Sequence, residues 1–193
     1  MFEYIKGILV EATPTYAVVE CGGVGYYICI SVNTYSKIAS EKEVLLYLHQ
    51  IVREDAHLLY GFHMKEERTL FRQLISVSGI GANTANVMLS SMTVNEIVGA
   101  IMTENVNAIK SVKGIGLKTA QRVIIELKDK VGGIDQTEVA VIGHSSELKE
   151  EALAALVMLG FVKVQVSKVL DKILSSEEVK GVEELIKKAL KQL

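Results

Sequence analysis

The chain has 193 residues, 49% of them hydrophobic, with 21 basic and 23 acidic side chains and a formal net charge of −2. That is enough apolar material for one large domain or two to three small ones, and no apolar run approaches the roughly 20 residues of a membrane-spanning helix. A charge near zero argues against nucleic acid as a partner until it is divided along the chain.

The opening "MFEYIKGILV" carries Glu3 and Lys6 inside its apolar stretch, which makes a poor signal peptide and leads to a soluble, cytoplasmic expectation. From Phe2 to Phe62 the pattern is that of strands. "YIKGILVEA" reads as a first strand, and Thr13-Pro14 marks the turn after it. "YAVVECGGVGYYICISV" is two β-rich runs around Gly22, Gly23 and Gly25, a hairpin signal. Residues 44–52 and 56–62 are two more apolar runs folded about Arg53-Glu54-Asp55. About five short strands of this kind predict a small closed antiparallel barrel, because closure removes exposed edges. Cys21 and Cys29, without a CxxC spacing, are expected as core thiols of a reducing compartment.

At Lys65 the period becomes helical, with Leu70, Phe71, Leu74 and Ile75 on one face. Helices continue to about Val131. "GGIDQTEVAVIGHSS", residues 132–146, has no helical period and reads as a linker. Three short helices are then predicted at 147–158, 163–174 and 179–192. Leu148, Ala152, Leu156 and Leu159 form one apolar stripe, and Val166, Val169, Leu170 and Ile173 another. Fewer than fifty residues give a thin core, hence a small three-helix module.

The helical middle contains a repeat. "SVSGIGANTA" starts at Ser76 and "SVKGIGLKTA" at Ser111, with seven of ten positions identical. In each, an apolar helix runs into Gly-Ile-Gly and another helix starts at once. The glycines permit φ > 0 and close approach, while Ile80 and Ile115 turn inward. The backbone N–H groups after each turn then face outward at the positive end of a helix dipole, which suits a phosphate. Thr84 and Thr119 add hydroxyls; Lys113, Lys118 and Arg122 add charge.

Dividing the charge supports this reading. Residues 1–64 carry 4 basic and 7 acidic side chains, residues 65–131 carry 9 and 6, and residues 132–193 carry 8 and 10. Only the segment with both repeats is net positive. A bare helix–helix turn would explain one copy about as well, but not two matched copies in the one basic segment. Such a site grips backbone and does not read bases. The two copies are unequal, with Asn83 where the second has Lys118. "GIGLKT" lacks the glycine directly before lysine that a P-loop needs, and no dinucleotide fingerprint is completed.

Two enzymatic alternatives remain in view. A base-excision glycosylase would use Lys118 as nucleophile with Asp135, yet the chain has no Trp and only four Phe to line a flipped-base pocket. A nuclease would need a carboxylate cluster, whereas Glu54-Asp55 and Glu66-Glu67 are isolated pairs, the latter at a helix start. No metal site or cofactor is expected.

The repeats look like helix-hairpin-helix motifs. With "VREDAHLLYGF", "ERTLF", "GIGLKTAQRVIIELKDK" and "LGF" in the same order, the chain resembles the RuvA family from end to end. The resemblance implies an α+β multidomain chain. Residues 1–64 would form an oligonucleotide-binding (OB-fold) barrel, 65–131 an all-α twin helix-hairpin-helix domain, 132–146 a flexible linker and 147–193 a small three-helix, UBA-like domain.

It further implies a non-catalytic tetramer, single or doubled to an octamer, that holds a four-way Holliday junction open and planar in DNA recombination, repair and the SOS response. The partners implied are a RuvB-type AAA+ motor and the resolving nuclease RuvC. In the family the acidic tip of the barrel hairpin stands at the junction centre, which maps here onto Glu54 and Asp55. DNA-backbone contacts map onto Gly79, Gly81, Asn83, Thr84, Lys113, Gly114, Gly116, Lys118, Thr119 and Arg122. Asn83 departs from the lysine of many relatives. Motor contacts are expected around Leu159, Gly160 and Phe161, or near Leu185 and Ile186.

Overall fold

The computed structural model describes residues 2–131, 144–176, 179, 181–190 and 192–193. The chain divides into two compact units, Met1–Thr137 and Glu138–Leu193.

The first unit opens with five strands, β1 (Tyr4–Ala12), β2 (Tyr16–Cys21), β3 (Val24–Ile30), β4 (Glu43–Val52) and β5 (His57–Phe62). They close into a barrel in the order β1-β2-β3-β5-β4. One feature departs from the antiparallel expectation. β3 and β5 pair in parallel, through Cys29 with Tyr60 and Ile30 with Gly61, and this short seam closes the barrel. Closure brings walls close together. A Cβ on Gly61 would meet Ile28 Cγ2 at 2.5 Å, so glycine is required there by packing. The barrel is filled by Ile5, Ala17, Val19, Ile28, Ile30, Ile38, Val44, Leu46 and Leu48.

Between β3 and β4 lies a helix the pattern did not announce, α1 (Val32–Ile38). Ser31 caps it by accepting from the Thr34 amide, at 3.0 Å, and Ile38 plugs the barrel core. Its apolar residues are Val32, Tyr35 and Ile38, of which only Ile38 is fully buried, and seven residues are too few to set a period. Cys21 and Cys29 also differ from expectation: Cys21 is exposed and Cys29 half-buried, both as free thiols.

Helices α2 (Lys65–Ser76), α3 (Ala82–Ser91), α4 (Val94–Met102), α5 (Val106–Lys110) and α6 (Leu117–Val131) complete the unit. Leu70, Phe71 and Leu74 are fully buried on the predicted face of α2. They do not pack only with other helices. Tyr60 and Phe62 of β5 belong to the same core, and both rings lie against Phe71, with centroids 5.0 and 4.9 Å away. The change of period at residue 65 therefore marks a change of architecture but no break in packing. Polar contacts reinforce the joint. Arg68 reaches from α2 to the Glu3 carbonyl at 2.7 Å and to the Glu3 carboxylate. Glu67 accepts from the Thr34 hydroxyl and the His63 amide, at 3.2 and 3.0 Å. Asn33 donates to the carbonyl of Leu89 at 2.7 Å, tying α1 to α3.

The second unit is a bundle of α7 (His144–Met158), α8 (Lys163–Ser176) and α9 (Val182–Leu190) around Ala152, Leu156, Val166, Leu170, Ile173, Leu185 and Ala189. Three helices are present near the expected bounds. α7 begins at His144, so residues 144–146 of the expected linker are helical, while 132–143 lie outside the described residues. The α7 stripe ends earlier than its spacing suggests, since Leu159 lies past the helix end and is 63% exposed. Among the described residues no helix is long and apolar enough to cross a membrane.

Candidate nucleic-acid interface

The two glycine phrases fold into near-identical turns. Gly79 has φ 95° and Gly114 φ 94°, a region that favours glycine. Ile80 donates its amide to Val77 O at 3.0 Å, and Ile115 does the same to Val112 O at 3.1 Å. Both isoleucine side chains are buried in the shared core, as their spacing requires.

The second glycine of each phrase has a different reason. Gly81 is extended (φ −86°, ψ 167°), a conformation open to any residue, and a Cβ there or at Gly116 would meet nothing within 4 Å. Nothing among the described residues requires these glycines. What they preserve is open space in front of a helix start.

α3 and α6 begin at that space. The first intrahelical bonds run from Ala85 N–H to Gly81 O and from Ala120 N–H to Gly116 O, both 2.9 Å. The amides of Asn83 and Thr84, and of Lys118 and Thr119, therefore precede the helical ladder. No side chain caps α3. Each helix start presents amide donors and a threonine hydroxyl at a positive dipole end, beside a cleared approach. That geometry accepts an anionic oxygen without discriminating what the anion is attached to.

The two starts are neighbours. A Cβ on Gly79 would stand 3.6 Å from Thr119 Oγ1, whereas Gly114 faces open space. Arg122 Nη1 donates to the carbonyl of Ser78 at 3.1 Å, while its Nε lies 4.0 Å from Glu126. The expected DNA-contacting arginine is thus already occupied in joining the second hairpin to the first. Lys113 and Lys118 are exposed and have no ion pair among the described residues. Lys128, one helical face on, is paired with Glu104, which holds that carboxyl below its ordinary range and raises the lysine.

At the first hairpin the position of Lys118 is taken by Asn83, whose Oδ1 accepts from the Tyr60 hydroxyl at 2.9 Å. Burial pushes the Tyr60 phenol above its usual value, so it remains a donor. Tyr60 is five residues from Asp55 along β5, so the acidic tip lies within about 20 Å of the first hairpin. At that tip Glu54 and Asp55 are exposed, in a turn closed by Arg53 N–H to Ala56 O at 2.8 Å. Tyr60 was legible in the sequence only as a strand residue. Its role comes from a contact across 23 positions, which no local pattern announces. Ser78, as the acceptor for Arg122, was missed for the same reason. Among the described residues, no three His, Cys, Asp or Glu side chains group closely enough to hold a metal ion.

In the second unit, Gly160 (φ 98°) ends α7. Phe161 N–H reaches Leu156 O at 3.1 Å and Gly160 N–H reaches Val157 O at 3.0 Å. This is a Schellman-type stop, and Phe161 packs back on the core as such stops favour. Leu185 corrects the expectation of a contact residue there: it is fully buried, in the centre of the bundle, and Ile186 is partly buried against it. Among the described residues of this unit, exposed apolar side chains gather around the α7–α8 turn, at Val157, Met158 (89% exposed), Leu159, Val162 and Val164, with Leu190 and Leu193 exposed at the end of the third helix.

Three family models match the chain: RuvA N terminal domain at residues 1–61, SAM-like helix-hairpin-helix tandem at 71–129, and RuvA C-terminal domain at 147–193. Curated relatives match over the full length of both chains. A protein of Christiangramia forsetii is 51% identical, one of Bacteroides thetaiotaomicron 50% and one of Porphyromonas gingivalis 46%; each is named Holliday junction branch migration complex subunit RuvA. The chain belongs to the RuvA family. The RuvA N-terminal match ends at residue 61, inside β5, and the tandem-hairpin match opens within α2. The joint that Tyr60, Phe62 and Phe71 fill is the joint between the RuvA N-terminal match and the tandem-hairpin match.

Proposed function

We propose that the protein binds four-way DNA junctions as a tetramer, holds them open and planar, and recruits a RuvB-type AAA+ motor for branch migration, without catalysis of its own. The observation that carries this reading is the pair of equivalent helix starts, side by side, on a body that also carries a carboxylate tip. Two backbone grips at a fixed spacing suit the two strands of one duplex arm. Glu54 and Asp55 have no task in gripping phosphate. A carboxylate about 4 Å from a phosphate costs only about 1 kcal/mol in bulk water and more where the dielectric falls. Four such tips converging on one crossover would keep strands from closing over the centre.

The names of the relatives support the same assignment, and four linked subunits let individually weak contacts act together. The second unit is the motor arm in this reading, with Leu159 and its exposed neighbours as contact. Doubling of the tetramer and alternation with a RuvC-type nuclease belong to the same reading.

The test is a gel shift at fixed salt with EDTA, using a four-way junction and a linear duplex of the same sequence. Preference for the junction that persists over excess duplex is the expected result. Equal binding to both would reduce the protein to a twin-hairpin duplex binder. Borohydride trapping of Lys118 on an abasic site would then decide for a glycosylase.

A further inference from the structure

The acidic tip belongs to a two-stranded ribbon whose last pair is Val52 with His57. A two-stranded ribbon is marginal by itself, so its direction depends on what it leans on. Ile51 and Leu58 rest partly buried against the helical core, which constrains the ribbon without fixing an angle. The directional contact is that of Tyr60. Its ring is 2% exposed and lies against Phe71, and its hydroxyl leaves the core to meet Asn83. Asn83 is also the second residue of α3, so its backbone amide is one of the donors at the first hairpin. One residue is thus bound to the tip through its side chain and to the phosphate grip through its main chain. Asn83 and the equivalent Lys118 of the second repeat are both exposed, and the Tyr60 bond distinguishes the first.

We infer that Asn83 is a positioning residue, through which the Tyr60 hydroxyl holds the acidic tip at a fixed direction relative to the phosphate-gripping amides of the first hairpin. The inference rests on the junction reading above. On a linear duplex the tip has nothing to enter, and its direction is irrelevant. On a junction, grip and tip must fit the same DNA, and a tip free to swing forfeits part of that fit. Asparagine here, where the second repeat has Lys118, is then a trade of charge for geometry.

The experiment compares the full-length protein with Tyr60→Phe, Asn83→Ala and the double variant. Each binds a four-way junction carrying 2-aminopurine at the crossover and the matching linear duplex, with melting followed in parallel. Tyr60→Phe removes one oxygen and keeps the ring, so it is expected to melt normally and bind duplex within about twofold of the parent. Its preference for junction should fall about three- to tenfold, as the loss of one net hydrogen bond implies, with a matching fall in crossover fluorescence. Asn83→Ala should lower the preference equally, and the double variant no further, because both remove one contact. Asn83→Lys should bind duplex more tightly with a steeper salt dependence and still lose preference.

Full preference in Tyr60→Phe, or additive losses in the double variant, would overturn the inference while leaving the junction reading intact. So would a parallel fall in melting and duplex binding, which would make the bond merely structural. A parent protein without junction preference would sink the junction reading, and the inference with it.

Discussion

The turns at Gly79 and Gly114 differ by one degree in φ, 95° against 94°, yet their surroundings have diverged. The first is tied to its neighbours, although Ser78, Gly79 and Asn83 are exposed. Thr119 stands against Gly79, Arg122 bonds Ser78, and Tyr60 holds Asn83. The second faces open space at Gly114 and carries exposed Lys113 and Lys118. The repeated backbone has kept its geometry while the side chains have diverged. In the proposed junction reading, the first copy anchors the grip to the rest of its unit and the second supplies charge.

The strongest way to break this comparison is to fill the cleared space. Gly81→Val leaves an extended backbone unstrained, so folding should persist while DNA binding falls by about tenfold or more, which corresponds to about 1.4 kcal/mol of binding free energy. Gly116→Val tests the second copy in the same gel shift. Gly79→Ala is the control of opposite kind. Its φ of 95° strains any side chain, and about 1–3 kcal/mol of stability should be lost in denaturant melts.

Next in size is the charge. Lys118→Ala should weaken junction and duplex alike and reduce the salt slope by about one for each phosphate that the lysine neutralises. Asn83→Ala should leave that slope unchanged. Equal slopes for the two variants would refute the division of labour. Arg122→Ala should lower stability by about 0.5–1 kcal/mol, a discounted value for a half-exposed bond, visible as a lower melting temperature without DNA.

The smallest effect is a difference in acid sensitivity. Behind the first hairpin, His49 accepts from Arg72 of α2 at 3.3 Å; burial, then the nearby arginines, holds its pKa below the ordinary 6.5. A depressed histidine stabilises the neutral folded form above pH 6.5, and that stability is lost as pH falls toward the lowered value. Behind the second, Glu104 is lowered by Lys128, so its contribution is present above the ordinary 4.5 and is lost only as pH falls below it. Amide exchange should therefore quicken around α2 before it does around α6 as acid is added.

Much of this was legible in advance. The strand runs, the helical period of Leu70, Phe71 and Leu74, the inward isoleucines and the three terminal helices all follow from local spacing. So did the positive φ at Gly79 and Gly114. What spacing does not carry is contact at a distance. The parallel seam of β3 with β5 joins residues about thirty apart, which no local period encodes. Leu185 has the same amphipathic surroundings whether it faces a partner or α7, and only the folded bundle distinguishes the two. Gly81 and Gly79 look alike as letters, although Gly79 is demanded by its backbone and Gly81 by nothing among the described residues.

Because Tyr60 and Phe62 fill the helical core rather than the barrel's own, the barrel is complete as a ring of strands before its outer wall is covered. During synthesis that wall waits for Phe71 and Leu74 to emerge, about one second at roughly 5–20 residues per second. For that interval a nascent chain carries two bare aromatic rings. A released chain truncated between residues 62 and 76 would thus carry an adhesive barrel, and quality control should recognise such fragments far more readily than the finished chain.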